Sequence, residues 1–386
     1  MKKSNSTLFC VVALASGMVL LVPVVAVAQS PAPAVVAVEK KAESLAPKGW
    51  TVPRTPDGQP DLQGYYTNTS LTPLMRSKAL GDQVFYTPEE AAAVGRKNNP
   101  NCVTNCRTQD TRVGDAATDL SRAYNDAFFD RGSQLAPTLQ TSVIVDPPDG
   151  RMPPLTAAAL EQMKEERAKV KEMCADPTRA CQPGYDGKGL TLADKPSDFS
   201  LMSRCIKWQT SGPPMMPAIY DSNYHIIQTK DTLMIQVEGG RGLRIIPLDG
   251  RPHLPSNIRL WVGDSRGHWE GNTLVVDTTN FNDEGGAEAS GKNMHVVERF
   301  TRVAPSVLLY EFTVDNPDRF TRPYTGIIPM TAIKGPIYEY ACNEGNYGMA
   351  DILRGARLEE KKRAEKAHEG QSEAPAAKSS HSTSGE

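Results

Sequence analysis

Two short stretches combine side chains able to move a proton, hold an anion or attack a carbonyl. His295-Val296-Val297-Glu298-Arg299-Phe300 places an imidazole, a carboxylate and a guanidinium within six residues. In a strand alternate side chains share a face, so His295, Val297 and Arg299 fall on one side and Val296, Glu298 and Phe300 on the other. If the second set points inward, Glu298 is a carboxylate among apolar neighbours, with a raised pKa suited to general acid or base work. If the first set does, His295 and Arg299 form a base and an anion clamp. The plain alternative is that Glu298 pairs with Arg299 or Arg302 on a sheet surface that faces water.

Gly263-Asp264-Ser265-Arg266-Gly267 spells the G-x-S-x-G of a nucleophile elbow, which needs a helix after its serine. Here Thr273 to Thr279 follows, β-branched at five of seven positions, so a tight β-turn using glycine for its backbone freedom is the better reading. His268 is three residues beyond Ser265, too local for a triad base. Arg251 and His253 share the turn Leu248-Asp249-Gly250-Arg251-Pro252-His253, a rim for an acidic or hydroxylated ligand, and His268 and Trp269 join them as candidate ligand contacts. His225, His253, His268 and His295 stand on separate runs with neither i, i+2 nor H-E-x-x-H spacing, so no metal site and no cofactor is read from them. Gly239-Gly240-Arg241-Gly242 lacks a following Lys-Ser/Thr or helix, which disfavours phosphate binding. Trp208, Trp261, Trp269 and Tyr338-Glu339-Tyr340 either line a pocket or fill a core.

The elements that must position these groups are strands. Arg259 to Phe281 reads as a central hairpin, with Leu260-Trp261-Val262 and Thr273 to Thr279 as its arms and Gly263 to Gly267 as its turn. From residue 220 onward, nine apolar runs fall within about 120 residues: 225–228, 232–237, 243–248, 259–262, 273–281, 294–303, 307–314, 324–333 and 337–341. No connection is long enough for a parallel crossover, so the expected fold is mainly β, an antiparallel meander closed as a barrel or packed as a sandwich. Two or three helices accompany it, in the N-terminal half and at the C-terminus. One opens at Thr87-Pro88-Glu89-Glu90, a capping box with proline at the first helical position. A second runs from Thr156 to about Met173, its apolar residues recurring at steps of three and four. A strand over Leu139 to Asp146 precedes it.

Net charge is −2, from 43 basic and 45 acidic residues, and no basic stripe crosses the middle of the chain. Nucleic acid is therefore excluded as a partner. Residues 1–28 read as a signal peptide: Lys2 and Lys3, an apolar run from Leu8 to Val27, and the small-residue site Ala26-Val27-Ala28. The mature protein is expected to be periplasmic or secreted, with no stable membrane insertion. Residues 29–52 read as a mobile linker, 53–200 as an N-terminal extension, 201–357 as the barrel-like domain and 358–386 as a charged, largely disordered tail.

With Cys10 inside the signal, six of the seven cysteines remain, and in an exported chain they imply disulfides. The expected pairing is Cys102 with Cys106, Cys174 with Cys181, and Cys205 with Cys342. The last closes a loop holding nearly all the strand-like sequence, a constraint of roughly 4–5 kcal/mol by chain entropy.

PRTPDGQPDLQG, YNDAFFDRG, TSVIVDPPDGRMP, RIIPLDGRPH, GDSRGHWEGNTLVVDTTNF, HVVERFTR and YEYACNEGNYGM together resemble a large family of uncharacterised exported bacterial proteins, from about Pro53 to Arg357. The resemblance implies export and carries no activity. After Phe281-Asn282-Asp283 this chain continues Glu284-Gly285-Gly286-Ala287, where relatives carry a longer, acidic, Trp-containing segment. The strand-rich half is also similar in texture to lipocalin-like barrels, which implies a cup-shaped site. The resulting expectation is a barrel that binds a small organic ligand, hydrophobic, phenolic or sugar-like, in its interior. Two alternatives stay open: a hydrolase or lyase using Glu298, His295 and Arg299 in the same pocket, and an envelope interaction protein without a pocket.

Overall fold

In most strands after residue 222, every second residue is buried, whatever its polarity: Tyr224, Ile226 and Gln228; Leu233, Ile235 and Val237; Arg244 and Ile246; Val296, Glu298 and Phe300. This period of two makes those segments strands with one inward face. The computed structural model describes residues 32–98, 132–183, 190–218, 222–239, 243–282 and 291–372. Helix α1 spans Pro33–Glu43, strand β1 Gly64–Thr67, helix α2 Pro88–Asn98, strand β2 Ile144–Asp146 and helix α3 Ala157–Met173, followed by the short pair β3 Gln182–Pro183 and β4 Leu190–Thr191. Then come β5 Asn223–Gln228, β6 Thr232–Val237, β7 Leu243–Pro247, β8 Asp264–Glu270, β9 Thr273–Thr279, β10 His295–Ala304, β11 Val307–Asp315, β12 Tyr324–Ala332 and helix α4 Tyr347–Ser372.

Nine strands hydrogen-bond antiparallel in the order β7-β6-β5-β1-β12-β11-β10-β9-β8, with β2 pairing β12 off this path. The two ends of the order meet through side chains. Arg244 of β7 donates to Ser265 Oγ of β8 at 3.4 Å. A Cβ on Gly267 would stand 2.5 Å from Leu248 Cδ2 and 3.2 Å from Ile246 Cγ2, so the absent side chain lets β8 approach β7 without displacing Leu248. The sheet thereby curls into a nearly closed, mainly β barrel, and four helices accompany it among the described residues.

The G-x-S-x-G stretch is correspondingly not a turn. Asp264–Glu270 is a full strand, Ser265 and Gly267 face inward, and the reversal into β9 falls at Gly271, with φ +61°, and Asn272. Of the expected runs, 259–262 contributes only a bridge from Leu260 to Phe281, and 337–341 forms no strand. The boundary placed at residue 200 also does not divide the sheet, because β1 inserts between β5 and β12. Its four residues are too few for the run to stand out in the sequence.

The capping box of α2 forms: Thr87 Oγ1 accepts from Glu90 N at 3.2 Å, and Glu90 Oε2 accepts from Thr87 N at 2.8 Å. Helix α3 starts where expected, with Thr156 capping Ala159 N at 3.1 Å. It does not pack as an amphipathic helix, since Ala159 is its only buried residue and Leu160 is 54% exposed. Helix α1 occupies the segment read as a linker. Pro33 starts it, and Ala34, Val35, Val38 and Ala42 share a face that is buried against Val145, Val303, Val307, Leu309 and Ile327 on the outside of the barrel.

Docking of α1 brings Glu39 against Glu311 of β11. Burial, reinforced by the Glu39 carboxyl with which it shares a hydrogen bond, pushes the Glu311 carboxyl up to about 7, against the pull of Arg299. A carboxyl whose folded pKa exceeds its unfolded one favours the fold when protonated. This contribution is therefore complete below about pH 4.5 and fades as pH rises through about 7. Folding stability should fall across that window in the wild type and fall measurably less in Glu311→Gln. Urea midpoints at the two ends of the window check this, and an identical fall in both proteins would remove Glu311 as a cause.

Candidate functional site

Two opposite charges meet inside the barrel. Arg244 shares the inward face of β7 with Ile246, and Glu298 shares that of β10 with Val296 and Phe300. Arg244 Nη1 donates to Glu298 Oε1 at 2.9 Å and Nη2 to Oε2 at 2.5 Å, with side chains 3% and 0% exposed. Tyr310 OH donates to Glu298 Oε1 at 2.8 Å and accepts from Met215 N at 2.9 Å. Burial alone would pull the Arg244 guanidinium down, but Glu298 more than offsets it and holds the group above its ordinary value. Burial, then the Glu298 charge, push the Tyr310 hydroxyl well above the usual range. Both oxygens of Glu298 are thus occupied by donors, Arg244 on each and Tyr310 on Oε1.

Met215 belongs to a segment, residues 208–217, that plugs one end of the barrel. Tyr224 OH donates to Thr210 O at 3.0 Å, and Asn68 Nδ2 donates to Met215 O at 3.0 Å and to Tyr224 OH at 2.9 Å. The Cys205–Cys342 bridge ties the start of this segment to the chain beyond β12, and Cys174–Cys181 staples the exit of α3, both as paired from the sequence. Cys102 and Cys106 lie outside the described residues. Phe300, Tyr310 and Phe312 fill the interior behind the plug and pack with Met215 in one buried cluster. The ligand space expected there is instead found at the barrel mouth.

That space is a cavity of about 890 Å3 bounded by the segment after β1, the plug, the start of β10, the end of β11 and the start of β12. Leu74, Met75, Met152, Leu155, Met216, Met294 and Phe320 form much of its wall, and Lys207, Asn316 and Arg319 bring polar groups to it. Burial, and to a smaller degree Arg244, pull the Lys207 ammonium down to about 8, with Glu298 opposing. Among the described residues Lys207 has neither a hydrogen bond nor an ion pair, only the Phe281 ring with its centroid 6.0 Å away. Asn316 is 1% exposed, and its Oδ1 and Nδ2 are both buried without a partner among the described residues.

The outward face of β8 to β10 carries a different arrangement. His295 Nε2 meets Asp277 Oδ2 at 2.6 Å, Asp277 Oδ1 meets His253 Nε2 at 2.9 Å, and His253 Nδ1 meets Asp264 Oδ2 at 2.9 Å. Arg266 Nη1 completes the row by donating to Asp264 Oδ1 at 2.6 Å. The Asp277 hydrogen bond raises the His295 imidazolium pKa against burial; burial would raise Asp277, but His295 and His253 hold it below its ordinary value. Every carboxylate here is engaged, so the row clamps the 249–254 turn onto the sheet. Among the described residues no group of three His, Cys, Asp or Glu is arranged to hold a metal.

The predicted site residues therefore do not converge. Glu298 is inside, while His295 and Arg299 are outside, Arg299 donating to Glu270 Oε2 at 2.9 Å. His268 meets Glu270 Oε1 at 3.3 Å on the exposed surface, and Arg251 pairs with Asp249 in the turn. Trp269 packs partly buried against the core, with Nε1 lacking a partner among the described residues. His225 stacks on Tyr65, centroids 4.1 Å apart. Sequence reading missed Lys207, Asn316, Arg244 and Tyr310. For Arg244 a signal was present: a lone charge on the face of Ile246 must find its opposite, and Glu298 stands on the equivalent face of its own strand. For Lys207 and Asn316 there was none, since both lie in loops. Compared with protein-family models, curated proteins and solved structures, the chain matches none.

Proposed function

We propose that this protein is an exported, disulfide-bonded barrel that binds a small organic molecule in the cavity at its plugged mouth. The observation that carries this reading is the cavity itself, about 890 Å3 with largely apolar walls and a few polar groups, within the roughly 300–1,000 Å3 of small-molecule sites. Export is supported by the signal-like residues 1–28, by the two disulfides, and by the resemblance to exported bacterial proteins. Among the described residues no helix is long and apolar enough to cross a membrane. The hydrolase or lyase reading has less support, because Glu298 is held by Arg244 and Tyr310 on the face opposite to His295 and Arg299.

The test is a binding screen of the mature chain with the neutral fluorescent probe N-phenyl-1-naphthylamine, together with phenolic and sugar competitors. Wild type should bind the probe, and Leu155→Trp, which fills the cavity wall, should weaken it about tenfold or more with an unchanged melting temperature. No probe binding, or equal binding by the filled variant, would overturn the assignment of this cavity.

A further inference from the structure

Among the described residues the cavity has no acidic side chain in its wall, and two of its lining side chains, Lys207 and Arg319, are cationic. Lys207 stands in an unusual position for a charged group. It is partly buried, and the nearest carboxylate it feels, Glu298, has given its oxygens to Arg244 and Tyr310. An ammonium withdrawn from water without a counter-ion is costly, as is an amide with all its polar atoms unmatched. Asn316 is such an amide, and it lines the same cavity. Two independent polar groups, one just before the plug segment and one just after β11, thus lack a hydrogen-bond or ion-pair partner among the described residues and border one space. Around them Met75, Met152, Met216 and Met294 supply unbranched, adaptable side chains suited to a flexible hydrocarbon.

We infer that the cavity takes an apolar molecule ending in a carboxylate, whose head group pairs with the Lys207 ammonium and the Asn316 amide while its hydrocarbon lies against the methionines. This rests on the cavity being a binding site at all, and it names the ligand class of that site. The anion supplies the counter-charge that Lys207 lacks, and a carboxylate oxygen accepts from Asn316 Nδ2. The charged groups that bear on Lys207 are Arg244 from β7 and Glu298 from β10, with Arg319 on the same cavity wall. Binding of the anion is linked to the Lys207 proton, so carboxylate affinity is full below pH of about 8 and falls above it, roughly tenfold per pH unit once Lys207 is neutral.

Decanoate and 1-decanol, equal in chain length and different in charge, test this by displacement of N-phenyl-1-naphthylamine from the full mature chain. Wild type at pH 7 should bind decanoate at least tenfold more tightly than decanol. In Lys207→Met the ratio of decanoate to decanol affinity should fall to about one, and in Asn316→Leu it should fall several-fold. Should Lys207→Met fail to fold, the wild-type preference measured at pH 7 and at pH 9.5 still decides, because it must collapse at the higher value. Equal affinity for decanoate and decanol, displacement by neither, or a preference independent of both Lys207 and pH would overturn the head-group assignment and leave the cavity reading standing. Failure of the probe and of both decyl compounds to bind would overturn the cavity reading as well.

Discussion

Glu298→Ala should lower folding stability by about 3–5 kcal/mol, the cost of leaving a buried charge without its partner. Arg244 is 3% exposed and inside the barrel, so once Glu298 is gone no water reaches its guanidinium, and Tyr310 OH loses its acceptor too. The Coulomb energy of the pair is not what is being measured. Two charges taken out of water and paired roughly cancel their desolvation, so an apolar pair of similar volume is often as stable. Arg244→Leu with Glu298→Leu should consequently recover most of the loss. Urea unfolding of the wild type, the single variant and the double variant checks this. A double variant as unstable as Glu298→Ala would mean that Glu298 stabilises the barrel by something other than neutralising Arg244. Glu298→Gln keeps the shape, and its folded fraction should bind the neutral probe as wild type does. A loss of binding there, at unchanged fold, would return Glu298 to the list of site residues.

Opening the Cys205–Cys342 bridge should be the second large effect. It joins residues 137 apart, whereas Cys174–Cys181 joins residues 7 apart. In the chain-entropy account the constraint grows as the logarithm of loop length, so the long bridge should stabilise by roughly 2.5 kcal/mol more than the short one. The variant Cys205→Ser with Cys342→Ser is expected to lose about 2–5 kcal/mol, and Cys174→Ser with Cys181→Ser distinctly less. Equal losses in denaturant titrations would show that strain or residual structure, rather than loop closure, sets the contribution. Because Lys207 lies two residues after Cys205, the long-bridge variant should also weaken probe binding in its folded fraction, through a looser plug.

How much of this was legible before the fold was known differs by element. The alternation within β5, β6, β7 and most of β10, the apolar runs of β9, β11 and β12, the capping box of α2 and the Thr156 start of α3 are local facts, decided by neighbours a few residues away. Strand β8 was hidden because Ser265, Gly267 and the charges around them look like turn chemistry. Gly267 is there because β7 comes within a methyl group of it, a contact between strands at opposite ends of the sheet order. Helix α1 was hidden because its Ala and Val face is short and sits between prolines.

The sequence by itself determined that the protein is mainly β and antiparallel, how four of its cysteines pair, and, in β10, that His295 and Arg299 share one face and Glu298 and Phe300 the other. Only the tertiary structure decided which face is inside. Period-two alternation is symmetric between the two faces, and closure of the barrel breaks that symmetry by placing Glu298 opposite Arg244 and leaving His295 and Arg299 on the outer face, paired with Asp277 and Glu270. The cavity, too, belongs to the tertiary structure alone. Its walls come from residues 69–75, 143–155, 207–218 and 294–324, segments brought to one barrel mouth by strand pairing across the whole chain, and no local pattern records that meeting.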